Sequence, residues 1–232
     1  MVIGAQSIRR EDRTAWLGGG GRARTCSWLS LLALAMLGAV LGPHDVQAQQ
    51  SLVVQAGAGL GDLWGTPDDL PTESRVSARA EAALVWPLAE YVGLQVGAGY
   101  VRESGTETGS GAEYTLTVDF VQVPVLARFG FAGPDARFSP HAVVGPTVAF
   151  SVNCEIRSQT PSTGGPQLEV LGCGDEAGAF ELGALAALGL DVRISGPTSL
   201  TLELAHARVL TPIDSRRLKS WSLVAGIRWD LD

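Results

Sequence analysis

Nine residues combine types and spacing that could carry chemistry: Arg79, Glu81, Gln122, Arg128, Glu181, Asp191, Arg193, Glu203 and Arg228. Each lies on the minority parity of a segment whose other parity is apolar, so all nine belong to one face of a sheet. Four arginines stand against four carboxylates. Enclosed charges must be paired or they change protonation state. Two roles fit such a set: the selectivity lining of a pore, or a salt-bridge plug that fills the interior and fixes strand register. The plug is the expectation, because a small closed sheet has room inside for little but side chains. Catalysis has less support. Beyond residue 48 the histidines are His141 and His206. His206, in Ala205-His206-Ala207, shares the apolar parity of Leu204, and His141 begins a strand beside a turn. Neither has a serine at His-x-Ser spacing, so no enzyme and no cofactor is expected.

The elements that must position these residues are clearest between Ala177 and Leu210. Phe180, Leu182, Ala184, Ala186, Leu188, Leu190, Val192 and Ile194 share one parity; Glu181, Gly183, Leu185, Ala187, Gly189, Asp191 and Arg193 share the other. A period of two over this length signals a strand, whereas a helical period would mix the sets. Leu200, Leu202 and Leu204 alternate with Thr201 and Glu203 in a second arm, and Ser195-Gly196-Pro197-Thr198-Ser199 is the turn between them. An unbroken apolar face opposite one of small and charged residues suits lipid outside and a packed, charged interior.

The N-terminal end reads as a targeting segment. Arg9, Arg10, Arg13, Arg22 and Arg24 precede the apolar run Ser27–Gly42, and Val46-Gln47-Ala48 places small residues where a signal peptidase reads. Residues 1–48 are therefore expected to be a signal peptide cut between Ala48 and Gln49, and residues 49–232 to be one barrel domain. Beyond residue 50 no stretch of about 20 apolar residues offers a spanning helix. Cleavage removes five arginines and three acids, leaving twelve basic and twenty-one acidic residues and a net charge of −9. With Lys219 the sole lysine and no basic stripe, nucleic acid is excluded as a partner.

Eight strands are expected: Leu52–Leu60, Val76–Trp86, Val92–Arg102, Tyr114–Phe131, Pro140–Cys154, the two arms above, and Ser220–Leu231. Long connections (61–75, 103–113, 155–176, 211–219) follow the odd-numbered strands and short ones the even-numbered strands, the asymmetry of outer-membrane barrels. In the fourth strand the apolar parity changes near Phe120-Val121, which predicts a bulge there, with Pro124 turned inward. Gly145-Pro146 leaves the facing of the fifth strand open. The fold class expected is all-β: an eight-stranded antiparallel up-and-down transmembrane barrel in an outer membrane, preceded by a signal peptide.

Cys154 and Cys173 flank the longest connection. In an oxidising periplasm they are expected to form a disulfide, closing a loop of about twenty residues and constraining the unfolded chain by roughly 3 kcal/mol. Asp62, Asp68, Asp69 and Glu73 crowd the first loop without the ligand spacing of a calcium loop, so a solvated loop is the better reading. Trp64, Trp86, Tyr91, Tyr100, Tyr114, Trp221 and Trp229 fall mostly near strand ends, where interfacial girdles would place them.

The segments Val121-Gln122-Val123-Pro124-Val125-Leu126-Ala127-Arg128, Pro140–Pro146, Leu200–Leu204 and Gly226-Ile227-Arg228-Trp229 carry a resemblance to the PorT-like outer-membrane β-barrel family, small eight-stranded barrels in the broader OmpA-like class. It covers roughly residues 50–232. The resemblance implies a Gram-negative outer membrane with lipid and lipopolysaccharide around the barrel, a monomer, and insertion by the barrel-assembly machinery. That machinery reads a C-terminal aromatic residue in many relatives; here the nearest is Trp229. The expected role is non-enzymatic, in envelope structure or surface interaction through the extracellular loops. Its rivals are a narrow porin-like channel for small solutes and a soluble lipocalin-like carrier with its apolar face inward.

Overall fold

The computed structural model describes residues 49–64, 71–109, 111–133, 136–160, 167–173, 180–212 and 217–231. The expected signal segment 1–48, with Ala48, lies outside the described residues, as do Asp68 and Asp69. Within them run nine strands: β1 (Ser51–Trp64), β2 (Thr72–Ala89), β3 (Val92–Gly109), β4 (Ala112–Gly130), β5 (Phe138–Thr160), β6 (Gln167–Gly172), β7 (Glu181–Ser195), β8 (Thr198–Val209) and β9 (Arg217–Asp230). Eight of them, all but β6, pair antiparallel in chain order, and β9 returns to β1 to close a barrel. The expected eight-stranded barrel is what forms. Closure leaves no strand edge open along the wall, which an apolar surround requires.

The expected parity holds over the lower wall, the end that carries Ser51 and Asp230. Val54, Leu60, Val125, Leu188, Leu202 and Leu223 project outward and are exposed, while Gln55, Arg79, Glu81, Arg128, Asp191 and Glu203 are buried inside. This inside-out distribution of polarity excludes the lipocalin-like arrangement and calls for hydrocarbon around the wall.

At the end away from Ser51 and Asp230, β1 to β5 and β9 outrun their predicted bounds. About ten residues cross a bilayer, yet β3 has 18, β4 has 19 and β5 has 23. The expected loop 103–113 is mostly ladder, turned at Gly111 with φ of +79°. The expected loop 155–176 contains the end of β5 and the whole of β6, paired from Glu155↔Gly172 to Thr160↔Gln167. These polar, Thr- and Gly-rich stretches lack lipid-facing apolar alternation, so they read as loops although their backbones stay paired.

In this collar the faces exchange character. Along β4, Gln122, Leu126 and Arg128 point inward below, and Leu116, Val118 and Phe120 point inward above, all on one parity. Val121, Val125 and Phe129 face outward below; Thr117 and Asp119 hold the same face above. The predicted bulge at Phe120-Val121 is therefore absent from β4: the surround changes from apolar to aqueous, and the apolar side changes with it. The bulge lies on the neighbouring strand, where Asp119 pairs with Asn153 but Phe120 with Ser151, leaving Val152 as the extra residue. It moves the inward parity of β5 from Ala149 to Cys154 and Ile156, which join the collar core.

Both awkward prolines are absorbed without a slip. The β3–β4 ladder skips from Val96↔Val125 to Gly99↔Gln122 around Pro124, and the β4–β5 ladder skips from Pro124↔Thr147 to Ala127↔Val144 around Pro146. A missing N–H removes a rung; the register on either side is unchanged.

Candidate functional site

Sheet register stacks the inward residues in rings. One ring runs His141↔Gly189↔Glu203↔Val224↔Gly57↔Arg79; the ring nearer the termini runs Ser139↔Asp191↔Thr201↔Gly226↔Gln55↔Glu81. Glycines alternate with long side chains, which cross the space the glycines leave. Gly189 is the sharpest case: a Cβ there would lie 2.6 Å from the His141 Cε1 and 2.8 Å from the Glu203 Cγ.

Asp191 and Glu203 organise the charges. The Arg128 Nη2 donates to Asp191 Oδ2 at 2.6 Å, and the Arg228 Nη1 donates to the same oxygen at 3.1 Å. Arg128 Nη1 lies 3.6 Å from Glu203 Oε1 and donates to Gln95 Oε1 at 3.3 Å. His141 is wedged between the acids, its Nε2 3.0 Å from Glu203 Oε1 and its Nδ1 3.7 Å from Asp191 Oδ1. Gln55 donates to the other Glu203 oxygen at 3.4 Å. Toward the termini, Arg228 also reaches Ser51 at 2.9 Å and Asp230 at 3.2 Å, and Ser51 donates to Asp230 at 2.7 Å. The network thus ties β1, β3, β4, β5, β7, β8 and β9 together across the lumen.

Of the nine predicted residues, Arg128, Asp191, Glu203 and Arg228 meet in this cluster. Arg79 and Glu81 are buried beside it as a pair at 3.6 Å. Glu181 is buried at the far end of β7, hydrogen-bonded by Thr211. Gln122 and Glu181 line a cavity of about 20 Å³ with Glu103 and Thr147. Arg193 stands half-buried near the turn end of β7. Gln55, Gln95, Glu103 and His141 belong to the buried set but were missed as members of it. His141 follows Pro140 on a strand whose facing Gly145-Pro146 obscured, and Glu103 fell within a segment read as loop. For Gln55 and Gln95 the signal was available: both hold the inward parity of their strands.

Above the charges, Leu63, Val101, Leu116, Val118, Phe120, Ala149 and Leu218 fill the collar, with Cys154, Ile156, Cys173 and Val209 packed against them. Val118 and Leu218 are fully buried. The Cys154–Cys173 disulfide forms as expected, with Cα atoms 5.5 Å apart, and closes over this cluster. Glu103 sits beneath it, accepting from Ser220 Oγ at 2.8 Å. His206 faces outward as its parity predicts, stacked on Trp221 with ring centroids 4.3 Å apart. Asp62 is ion-paired with Lys219 at 3.1 Å.

Several solved structures are similar to the chain at low sequence identity. The chain is similar to the attachment invasion locus protein of Yersinia pestis, at 10% identity and a TM-score of 0.41, covering 78% of this chain and 99% of that one. It is similar to the outer membrane protein OprG of Pseudomonas aeruginosa, at 10% identity and 0.46, covering 78% and 95%. Neisserial surface protein A matches at 12% identity and 0.43, over 78% and 97%. No curated protein matches the sequence. Residues 48–215 match the family described as the outer membrane protein beta-barrel domain. An apolar outer wall, a charged lumen and closure by β1 and β9 agree with that match: the chain belongs to this family of outer-membrane β-barrels.

Proposed function

We propose that this outer-membrane barrel is a closed, non-conducting and non-enzymatic scaffold whose collar and loops present an interaction surface outside the cell. One observation carries the reading: two stoppers lie in series, a cross-linked charge network below and an apolar core above, and the cavity against that core measures about 20 Å³. Ions crossing such a lumen would have to leave water inside an apolar layer. Strands continuing well past the length a bilayer needs, reinforced by a disulfide, invest structure in the exposed end. The same proposal includes cleavage after Ala48, insertion by the barrel-assembly machinery, a monomeric state and the finer PorT-like assignment, which rests on the segments quoted above.

A narrow channel is the second reading. It is favoured by buried lumen atoms without a protein partner among the described residues, Arg79 Nε, Glu81 Oε1 and Glu103 Oε2, which a thread of water would satisfy. Planar-bilayer recording on the purified full chain decides between them. The closed reading expects no unitary current above the lipid background; reproducible single-channel steps would overturn it.

A further inference from the structure

We propose that the outer face of β8, β9 and β1 binds one phosphorylated, acylated lipid of the outer leaflet, the lipid A portion of lipopolysaccharide. Its phosphate would sit on Arg208, Arg217 and Lys219, and an acyl chain in the groove beneath them.

The height of the cluster comes first. Arg208↔Lys219 and Lys219↔Asp62 form one outward row of the sheet, with Arg217↔Trp64 two residues above. The next outward row below is His206↔Trp221↔Leu60, where Trp221 and Leu60 are exposed and the apolar wall begins. These cations therefore stand where hydrocarbon gives way to headgroups.

Among the described residues the charge there is unbalanced. Arg75, Arg102 and Arg157, also on the collar's outside, each bridge a carboxylate: Glu113, Asp119 and Glu155. Among the described residues Arg208 and Arg217 bridge none, and Asp62 answers Lys219 alone. Both guanidinium groups instead lie near one indole, 5.6 Å and 5.1 Å from the Trp64 ring centre. The buried Nε of Arg217 has no hydrogen-bond partner among these residues. Two like charges gathered on one aromatic ring, in a chain of net charge −7, form a ready site for an anion. The site is also held in shape: Arg208 Nε donates to His206 Nε2 at 3.0 Å, and His206 Nδ1 lies 3.0 Å from the Ser220 carbonyl.

The groove is a separate observation: it shares β9 and β1 with the cation row and extends onto β2 and β3. Ala56, Ala80 and Ala225 floor an open concavity of about 510 Å³ walled by Val54, Ile227 and Trp229. Six residues separate Lys219 from Ala225 along β9, roughly 20 Å. That is within reach of a fatty acyl chain hung from the phosphate end. A soluble anion would use the cluster and ignore the groove; a neutral lipid would do the reverse. Only a ligand with both parts uses the whole face.

The test is native mass spectrometry of the full chain in mild detergent, titrated with diphosphorylated lipid A, with dephosphorylated lipid A and with inorganic phosphate as competitor. One lipid A per barrel is expected. Loss of two interfacial charges in R208A/R217A should weaken binding roughly thirtyfold, and a groove-filling A80F should weaken it without touching the cations. Dephosphorylated lipid binding as tightly as the diphosphorylated form would overturn the proposal, a comparison that needs no variant. So would full retention by R208A/R217A, or displacement of the lipid by millimolar phosphate. The outcome does not depend on conductance, so this inference and the closed-barrel reading fail separately.

Discussion

His141 and Glu203, 62 residues apart in sequence, meet at 3.0 Å across the bare backbone of Gly189. The contact exists because the residue between them has no side chain. Gly189→Val should therefore drive a branched side chain into the imidazole and the Glu203 stem, at a cost of about 2 kcal/mol or more. Urea unfolding in lipid vesicles, followed by the gel shift between folded and boiled protein, measures it. An unchanged midpoint would show that the lumen has slack this geometry denies.

Arg128 serves two carboxylates at once. Arg128→Met should leave Asp191 and Glu203 under-compensated and cost about 3 kcal/mol. Adding Glu203→Gln should return part of that loss, since it removes one of the stranded charges. A double variant no more stable than the single one would contradict the shared-network reading.

The exchange of faces along β4 sets a sharp contrast between two outward positions on one strand. Val125→Lys puts a charge into the apolar wall and should cost about 2–4 kcal/mol, whereas Thr117→Lys lies in the aqueous collar and should cost about 0–1 kcal/mol. Equal penalties would mean that the bilayer boundary does not fall at Asp119.

The disulfide belongs to the collar, away from the lipid-embedded wall. Reduction, or Cys154→Ser with Cys173→Ser, should destabilise by about 3 kcal/mol while leaving a folded barrel. Protease sensitivity of β6 should rise first. Loss of the gel shift at equal denaturant would show that the bridge supports the entire barrel.

Strand number, closure and the inside–outside assignment of the lower wall were legible because lipid imposes a strict alternation on each strand. Four of the nine charged or polar residues expected in the lumen, Arg128, Asp191, Glu203 and Arg228, meet in one cluster, and Arg79 and Glu81 adjoin it. Parity reveals which face a residue takes but not its height on the barrel, so Glu181, at the far end of β7 against Thr211, was grouped with charges that lie well below it. The collar was illegible for a physical reason. Where water replaces lipid, the apolar side moves inward, and the sequence of β4 looks as though its backbone had slipped a residue. The real slip, at Val152, lies among Ser151, Asn153 and Cys154, where neither face is plainly apolar.

The ladder from Ser51↔Asp230 to Trp64↔Arg217 joins the first strand to the last. It has consequences for the order of assembly. Every other seam in the wall links consecutive barrel strands and can form as the chain arrives; this one waits for the final segment. Until β9 arrives, β1 and β8 face the lipid with bare backbone, which hydrocarbon does not tolerate. Arg228 and Asp230, which lock Ser51 and Asp191 into the network, come with that same segment. Sealing the wall and completing the charge balance are thus one event, and loss of the last strand would abolish both together.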